Sequence, residues 1–201
     1  MGQRLNLEIV VGENVIANAY YHWSGFTSTS LEVTKKALEK FKSFSGYVAS
    51  PGAYELALDM LENTGATFTK DELNAYNSCG FYDFFGNEIP RKERKTGVVD
   101  RNNGLISITS KGINSTRYWE EARVQIDVRK KFVNFDAVWE ISEKELLEEY
   151  DINKKDLTEI EYDLSKIPFD KFNDFCKEII KLIDNEVYYC IANKKIYAFI
   201  E

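Results

Sequence analysis

The sequence predicts an α+β fold, mainly an antiparallel sheet built from three β-hairpins and covered by helices. Three observations predict it. Alternating apolar residues come in paired runs joined by short turn sequences, and segments of helical periodicity are interspersed between those pairs rather than alternating strictly with single strands. The 201 residues are 44% apolar, 14% aromatic and 29% charged, which is the composition of a folded globular chain. A chain of this length forms one domain, or two lobes spanning 1–90 and 98–201 joined by a basic loop at 86–97.

The first hairpin is read from Leu5, Leu7, Ile9 and Val11, which point one way, then a turn at Gly12-Glu13-Asn14, then Ala17, Ala19, Tyr21 and Trp23, which do likewise. Thr29 and Glu32 have capping-box spacing, and Leu31, Thr34, Ala37, Leu38, Phe41 and Phe44 follow at helical intervals. Ser50-Pro51 reads as the start of a second helix with Tyr54, Ala57, Leu58 and Leu61 as its inner stripe and Gly65 as its stop. Thr69 and Glu72 cap a short third helix. From Asn77 to Gly97 the aromatics, glycines and Pro90 followed by Arg91, Lys92, Arg94 and Lys95 read as a long loop, ordered at first and then mobile.

Asn102-Asn103-Gly104 marks a turn, and residues 105–109 have strand character. Lys111 to Arg117 reads as a Gly-containing turn rich in hydroxyls, a composition suited to holding a phosphate or carboxylate. Val124, Ile126 and Val128 alternate with polar residues, and Val133, Phe135, Ala137, Trp139 and Ile141 do the same, giving a second hairpin about Arg129-Lys130-Lys131. Ser142 and Glu145 box a short acidic helix ending near Tyr150, and Ile160, Tyr162 and Leu164 suggest a strand. Phe172, Phe175, Cys176, Ile179, Ile180 and Ile183 then form one face of a helix over 170–184. Residues 187–192 and 196–200 close the chain as the third hairpin about Asn193-Lys194.

The net charge of −7 conceals a polarity along the chain. Residues 1–90 carry −5, residues 91–131 carry +6 and residues 132–201 carry −8. Local potential steers an anion or an acidic surface, so the basic centre is where a binding site is expected, with Arg91, Arg94, Lys111, Arg117, Arg123 and Arg129 as its cations. Arg123 and Arg129 read as sharing one strand face. The competing expectation is that these cations pair with the acidic segments across the fold, each pair contributing about 0–1 kcal/mol at the surface. The acidic total and the lack of a recognisable nucleic-acid motif argue against nucleic acid as the main ligand.

His22 is the chain's one histidine, on a strand face with Asn18 and Tyr20 and within the run Tyr20-Tyr21-His22-Trp23. Such an aromatic strand suits stacking against a planar ligand, which makes Tyr20, His22 and Trp23 candidate binding residues, with a structural histidine at the sheet surface as the alternative. Cys79, Cys176 and Cys190 lack CxxC spacing and read as reduced thiols. Cys79, the thiol in the most loop-like context, and His22 are the residues on which a nucleophilic enzyme would rest. Metal-ligand spacing, the phosphate-binding glycine motifs and the common hydrolase signatures are missing, so no metal, no cofactor and no catalytic residue are assigned, and binding is favoured over catalysis. No apolar run approaches the ~18 residues of a membrane helix and no signal peptide is read, so the expected location is the cytoplasm, without membrane association.

The segments MGQRLN and ANAYYHWSG in the first 25 residues resemble the start of small uncharacterised proteins of phages and prophages of Gram-positive bacteria. The resemblance is a run of letters without a catalytic motif, so it transfers no functional residue. It implies a host bacterial cytoplasm and an accessory role against anti-phage defence. The leading expectation is a protein that antagonises a host defence component by binding it. The alternatives are a sponge for an anionic nucleotide signal, held by Tyr20, His22, Trp23, Arg117 and Arg123; a small enzyme using Cys79 or His22; and a phage structural or regulatory protein. Open hairpin edges and the aromatic loop Phe81-Tyr82-Asp83-Phe84-Phe85 predict a modest tendency to form homo-oligomers if that loop is exposed, whereas a loop that plugs the core would not.

Overall fold

The computed structural model of the chain describes residues 4–25, 28–42, 52–83, 85–100, 103–137, 144, 147–148, 151, 153, 155, 158–160, 163–184, 188–192 and 195–199. The elements in chain order are β1 (Leu5–Val11), β2 (Asn14–Tyr21), α1 (Ser28–Lys42), α2 (Gly52–Asn63), β3 (Thr67–Phe68), α3 (Lys70–Ser78), β4 (Leu105–Ser107), α4 (Ser110–Arg117), β5 (Ala122–Asp127), β6 (Phe132–Ala137), β7 (Thr158–Ile160), β8 (Ile167–Pro168), α5 (Phe172–Asp184), β9 (Tyr188–Ala192) and β10 (Lys195–Phe199). The class is α+β. Among the described residues, no helix is long and apolar enough to cross a membrane.

Seven strands form one sheet in the order β3-β4-β2-β1-β5-β6-β8, and β7-β10-β9 form a second sheet of three. The three expected hairpin pairs are present as β1/β2, β5/β6 and β9/β10. They do not make one mainly antiparallel sheet, which corrects the sequence-based expectation. The third hairpin stands in the separate sheet, and the large sheet is mixed because β1/β5 and β3/β4 pair in parallel. The reason is topological. After β2 the chain runs through α1, α2 and α3, returns as β4 on the outer edge of β2, and reaches the free side of β1 through α4, entering β5 from the end where β1 begins. The Arg4 carbonyl accepts the N–H groups of Glu121 and Ala122, at 3.0 and 2.9 Å, and starts that ladder.

The two faces of the large sheet differ. Leu5, Leu7, Ile9, Ala17, Ala19, Tyr21, Ile106, Val124, Ile126, Val133 and Phe135 are buried in one core cluster with residues of α1, α2 and α5. Phe135 stacks on Phe172 with ring centroids 6.0 Å apart and planes 2° from parallel, and Phe41 meets Phe169 edge-on. Removing such side chains from water contributes about 1.5–3 kcal/mol each, so this layer drives folding. Because neighbouring strand residues point to opposite sides, the same strands present Asn6, Glu8 and Asn18 to the other face, where α4 lies.

Local signals explain some helix ends, although Thr29, expected to cap α1, lies inside that helix, which begins at Ser28. Thr69 accepts from the Glu72 N–H at the start of α3, and Gly65 follows α2 at φ +93°, the left-handed stop that glycine tolerates. Of the strand expected from Ile160, Tyr162 and Leu164, Ile160 ends β7 at 158–160, whereas Leu164 is a buried residue in a turn. Ser50-Pro51, Phe44, Asn102, Trp139, Ile141, Ser142, Glu145, Tyr150, Tyr162 and Asn193-Lys194, on which other expectations rested, lie outside the described residues.

Lys111 to Arg117, read as a turn, is helical. Thr109 caps α4 by accepting from the Gly112 N–H at 3.0 Å, and Ile113 is buried beneath it. Gly, Asn, Ser and Thr have weak helix propensity, so tertiary contact fixes this helix. Glu72, whose carboxylate would close a reciprocal capping box on α3, instead accepts from Ile108 N–H at 2.9 Å, Thr109 N–H at 3.2 Å and the Thr109 hydroxyl at 2.6 Å. The backbone at Gly112 passes so close that a Cβ there would overlap Glu72 Oε1 and stand 2.9 Å from Ser107 Cβ. Gly112→Ala is therefore expected to destabilise the protein by about 1–3 kcal/mol despite the better helix propensity of alanine. Thermal unfolding checks this; a midpoint equal to or above wild type would contradict the close approach.

Candidate functional site

The polar face of the large sheet is organised around Glu8, which is fully buried in the central strand β1. A buried carboxylate needs partners, and three donors converge on it. Arg117, at the end of α4, donates from Nε to Oε1 at 2.6 Å and from Nη2 to Oε2 at 2.9 Å, and Gln125 of β5 donates to Oε2 at 2.9 Å. The hydrogen bond to Glu8 raises the Arg117 pKa above its usual value, against the opposing effect of burial. Arg123 pairs with Glu120, and its Nε lies 4.0 Å from Glu8. Asn6 donates to Glu120 at 2.8 Å, while Asn18 donates to Asn6 at 3.1 Å and to the Thr116 hydroxyl at 2.8 Å. The helix is thus clamped to the sheet by ionic and amide contacts where the opposite face uses apolar packing.

Where α4 ends, Tyr118 and Trp119 turn outward at 78% and 58% exposure with their rings perpendicular, 4.8 Å between centroids. The Arg4 guanidinium lies 5.5 Å from the Trp119 ring centroid, and the Arg4 backbone N–H donates to Glu121 at 2.7 Å. Tyr20 belongs to the same end of the sheet. Its pKa is raised mainly by burial, with Arg4 pulling it down and Glu121 pushing it up. The Tyr20 hydroxyl lies 3.1 Å from His22 Nδ1, and His22 meets Trp23 edge-on at 5.2 Å. Trp23 is 46% exposed. Two perpendicular aromatic pairs therefore stand at the end of the sheet where β1 begins, Tyr118 with Trp119 beside Arg4 and His22 with Trp23 next to Tyr20.

The cations at 91–94 are placed elsewhere. The Arg94 side chain is 1% exposed and lies against α2, 2.6 Å from Glu55, 2.5 Å from Glu62 and 3.6 Å from Asp59, with its guanidinium 5.2 Å from the Tyr76 ring centroid. Burial opposes its charge, but Tyr76, Glu62 and Glu55 outweigh that and raise its pKa. Burial likewise pushes the Glu62 carboxyl up, with Arg94 opposing. Tyr76 also donates to Glu55, Lys92 pairs with Asp59 at 2.7 Å, and Arg91 sits over Tyr76 and Phe81. Beside this network is a cleft of about 410 Å³ whose walls include Glu62, Thr67, Glu93, Arg94, Lys95 and Asn103, carrying both signs of charge.

The expected site residues therefore divide into four places. Arg117 and Arg123 approach Glu8, with Tyr20, His22 and Trp23 near that end of the sheet. Arg91 and Arg94 gather at Tyr76. Lys111 is exposed on α4, and Arg129 is exposed in the turn after β5 rather than on a strand face with Arg123, because β5 ends at Asp127, whose carboxylate accepts the N–H groups of Arg129 and Lys130. Cys79 is exposed at the end of α3 with Sγ 3.3 Å from the Ala75 carbonyl, and Cys176 is buried, its thiol pushed up to about 11 by burial. Among the described residues, no group of three His, Cys, Asp or Glu side chains is placed to hold a metal ion. The aromatic loop divides: Phe81 packs against Tyr54 and Tyr76, whereas Tyr82 and Phe85 are exposed, and Phe84 lies outside the described residues.

Sequence reasoning missed Arg4, Asn6, Glu8, Tyr118 and Trp119. The available signal was the second parity of β1, where Asn6 and Glu8 oppose the apolar set in a strand buried on both sides. No protein family, curated protein or solved structure matches the chain.

Arg94→Met is expected to cost about 2–4 kcal/mol, because it leaves partly buried Glu55 and Glu62 without their cation. Arg94→Lys is expected to restore only part of this, since one ammonium does not replace a fork reaching both carboxylates. Chemical denaturation with limited proteolysis of the 91–95 segment checks both, and a lysine variant as stable as wild type would contradict the forked arrangement.

Proposed function

We propose that the chain acts by binding, as a phage or prophage accessory protein that antagonises a protein component of a bacterial anti-phage defence system. The observation that carries the binding reading is the internal use of the basic segment: Arg94, Arg117 and Arg123 are engaged by Glu55, Glu62, Glu8 and Glu120. What remains toward solvent belongs to a molecule of net charge −7 with exposed Trp23, Tyr118 and Trp119. Exposed tryptophan, tyrosine and arginine are the residue types that dominate protein interfaces. The resemblance of MGQRLN and ANAYYHWSG supports the phage setting.

A second reading, sequestration of an anionic nucleotide, is favoured by Tyr20, which lies within the field of Arg4, and by the His22 and Trp23 rings next to it. It is weakened by the carboxylates that already occupy Arg117 and Arg123.

Affinity capture of the tagged chain from expressing bacteria, followed by mass spectrometry and by release of bound small molecules, tests the two readings together. The expected result is one host protein recovered in near-stoichiometric amount and no co-purifying nucleotide. A chain that recovers no protein but releases a nucleotide would defeat the leading reading. In that case the nucleotide at about 100 times its dissociation constant would add ~2.7 kcal/mol of stability in a thermal-shift assay.

A further inference from the structure

Resting on the protein-binding reading, we propose that the partner presents a cationic, arginine-bearing surface of the kind that holds nucleic acid, and that it docks on the two aromatic corners at the end of the sheet where β1 begins. Each corner has two walls at nearly right angles, Tyr118 with Trp119 at 86° and His22 with Trp23 at 83°. In each pair the edge of one ring meets the face of the other, and the ring surfaces left toward solvent, above all those of Trp119 and Trp23, carry the negative potential that attracts a cation. The fold already contains one such contact, the Arg4 guanidinium 5.5 Å from the Trp119 ring centroid. Trp119 remains 58% exposed with Arg4 in place, so ring surface stays accessible to a second guanidinium.

Charge complementarity selects the partner. The ionic groups nearest the corners balance, since Arg117 and Arg123 are matched by Glu8 and Glu120, and Glu121 lies beside Arg4. The field that reaches a distant partner is therefore set by the acidic molecule as a whole, which attracts a basic surface and repels a polyanion. Rings exposed singly need no explanation, but four aromatic residues in two corners at one end of the sheet form a contact surface.

Titration of the full chain with an oligoarginine peptide, followed by tryptophan fluorescence, tests the proposal. Oligoglutamate and a single-stranded oligonucleotide serve as comparators. Saturable quenching by oligoarginine is expected, weakening as salt is raised, with no response to oligoglutamate and weaker binding of the oligonucleotide. Trp119→Ala and Trp23→Ala are each expected to weaken oligoarginine binding by about threefold to tenfold, and Trp119→Phe to retain most of it, with circular dichroism showing the wild-type fold. An unchanged fluorescence signal, equal affinity in both alanine variants, or tighter binding of the oligonucleotide would overturn the assignment. If Trp119→Ala and Trp23→Ala chains capture the same host protein as the wild type in equal yield, the corners are wrong and the binding reading survives. If the wild type captures no protein, that reading fails while the titration still decides the corners.

Discussion

A carboxylate in the middle of a sheet is the constraint around which this fold is arranged. Glu8 occupies the central strand, fully buried, and an ion in that position is tolerated only with its oxygens satisfied. Satisfying it requires Gln125 from the adjacent parallel strand and Arg117 from the end of α4, residues more than a hundred positions away in sequence. That need places α4 over the polar face, brings β5 alongside β1, and leaves Tyr118 and Trp119 at the rim. Gly112 and Glu72 serve the same end from the other terminus of the helix, by allowing and fixing its close approach.

The second ionic cluster works in the same way along α2. The stripe Glu55, Asp59 and Glu62 along α2 receives Arg94 and Lys92, which ties the segment after the aromatic loop to the helical layer. Between them the two clusters account for much of the cationic excess of residues 91–131. Part of a basic stretch in sequence thereby becomes internal pairing in space, while Lys111 and Arg129 stay exposed on a molecule of net charge −7 that also exposes Trp23, Tyr118 and Trp119.

How much of this was legible in the sequence follows from range. Alternation identified the hairpins, because period-two patterning is a local property, and Thr69 and Gly65 marked helix ends through local backbone chemistry. The parallel β1/β5 junction was not legible, since β5 alternates as an antiparallel strand would and its partner is chosen by the path of α4. Helix α4 itself was hidden by Gly112, Asn114, Ser115 and Thr116, whose propensities oppose the helix that tertiary contacts impose. Of the site, Tyr20, His22, Trp23, Arg117 and Arg123 were visible as residue types. Glu8 was not, because one acidic residue within an alternating strand looks like a solvated face until the helix that covers it is in place.

The polar face depends most on the pairing of Glu8 with Arg117, and a double-mutant cycle measures that pairing directly. Stabilities of Glu8→Gln, Arg117→Met and the double variant, obtained by urea denaturation, give the coupling free energy. Strong non-additivity is expected, about 2–3 kcal/mol, with the double variant little worse than the more damaging single one. Effects that add to within about 0.5 kcal/mol would mean that the two residues do not act on each other, and that something else holds α4 against the sheet.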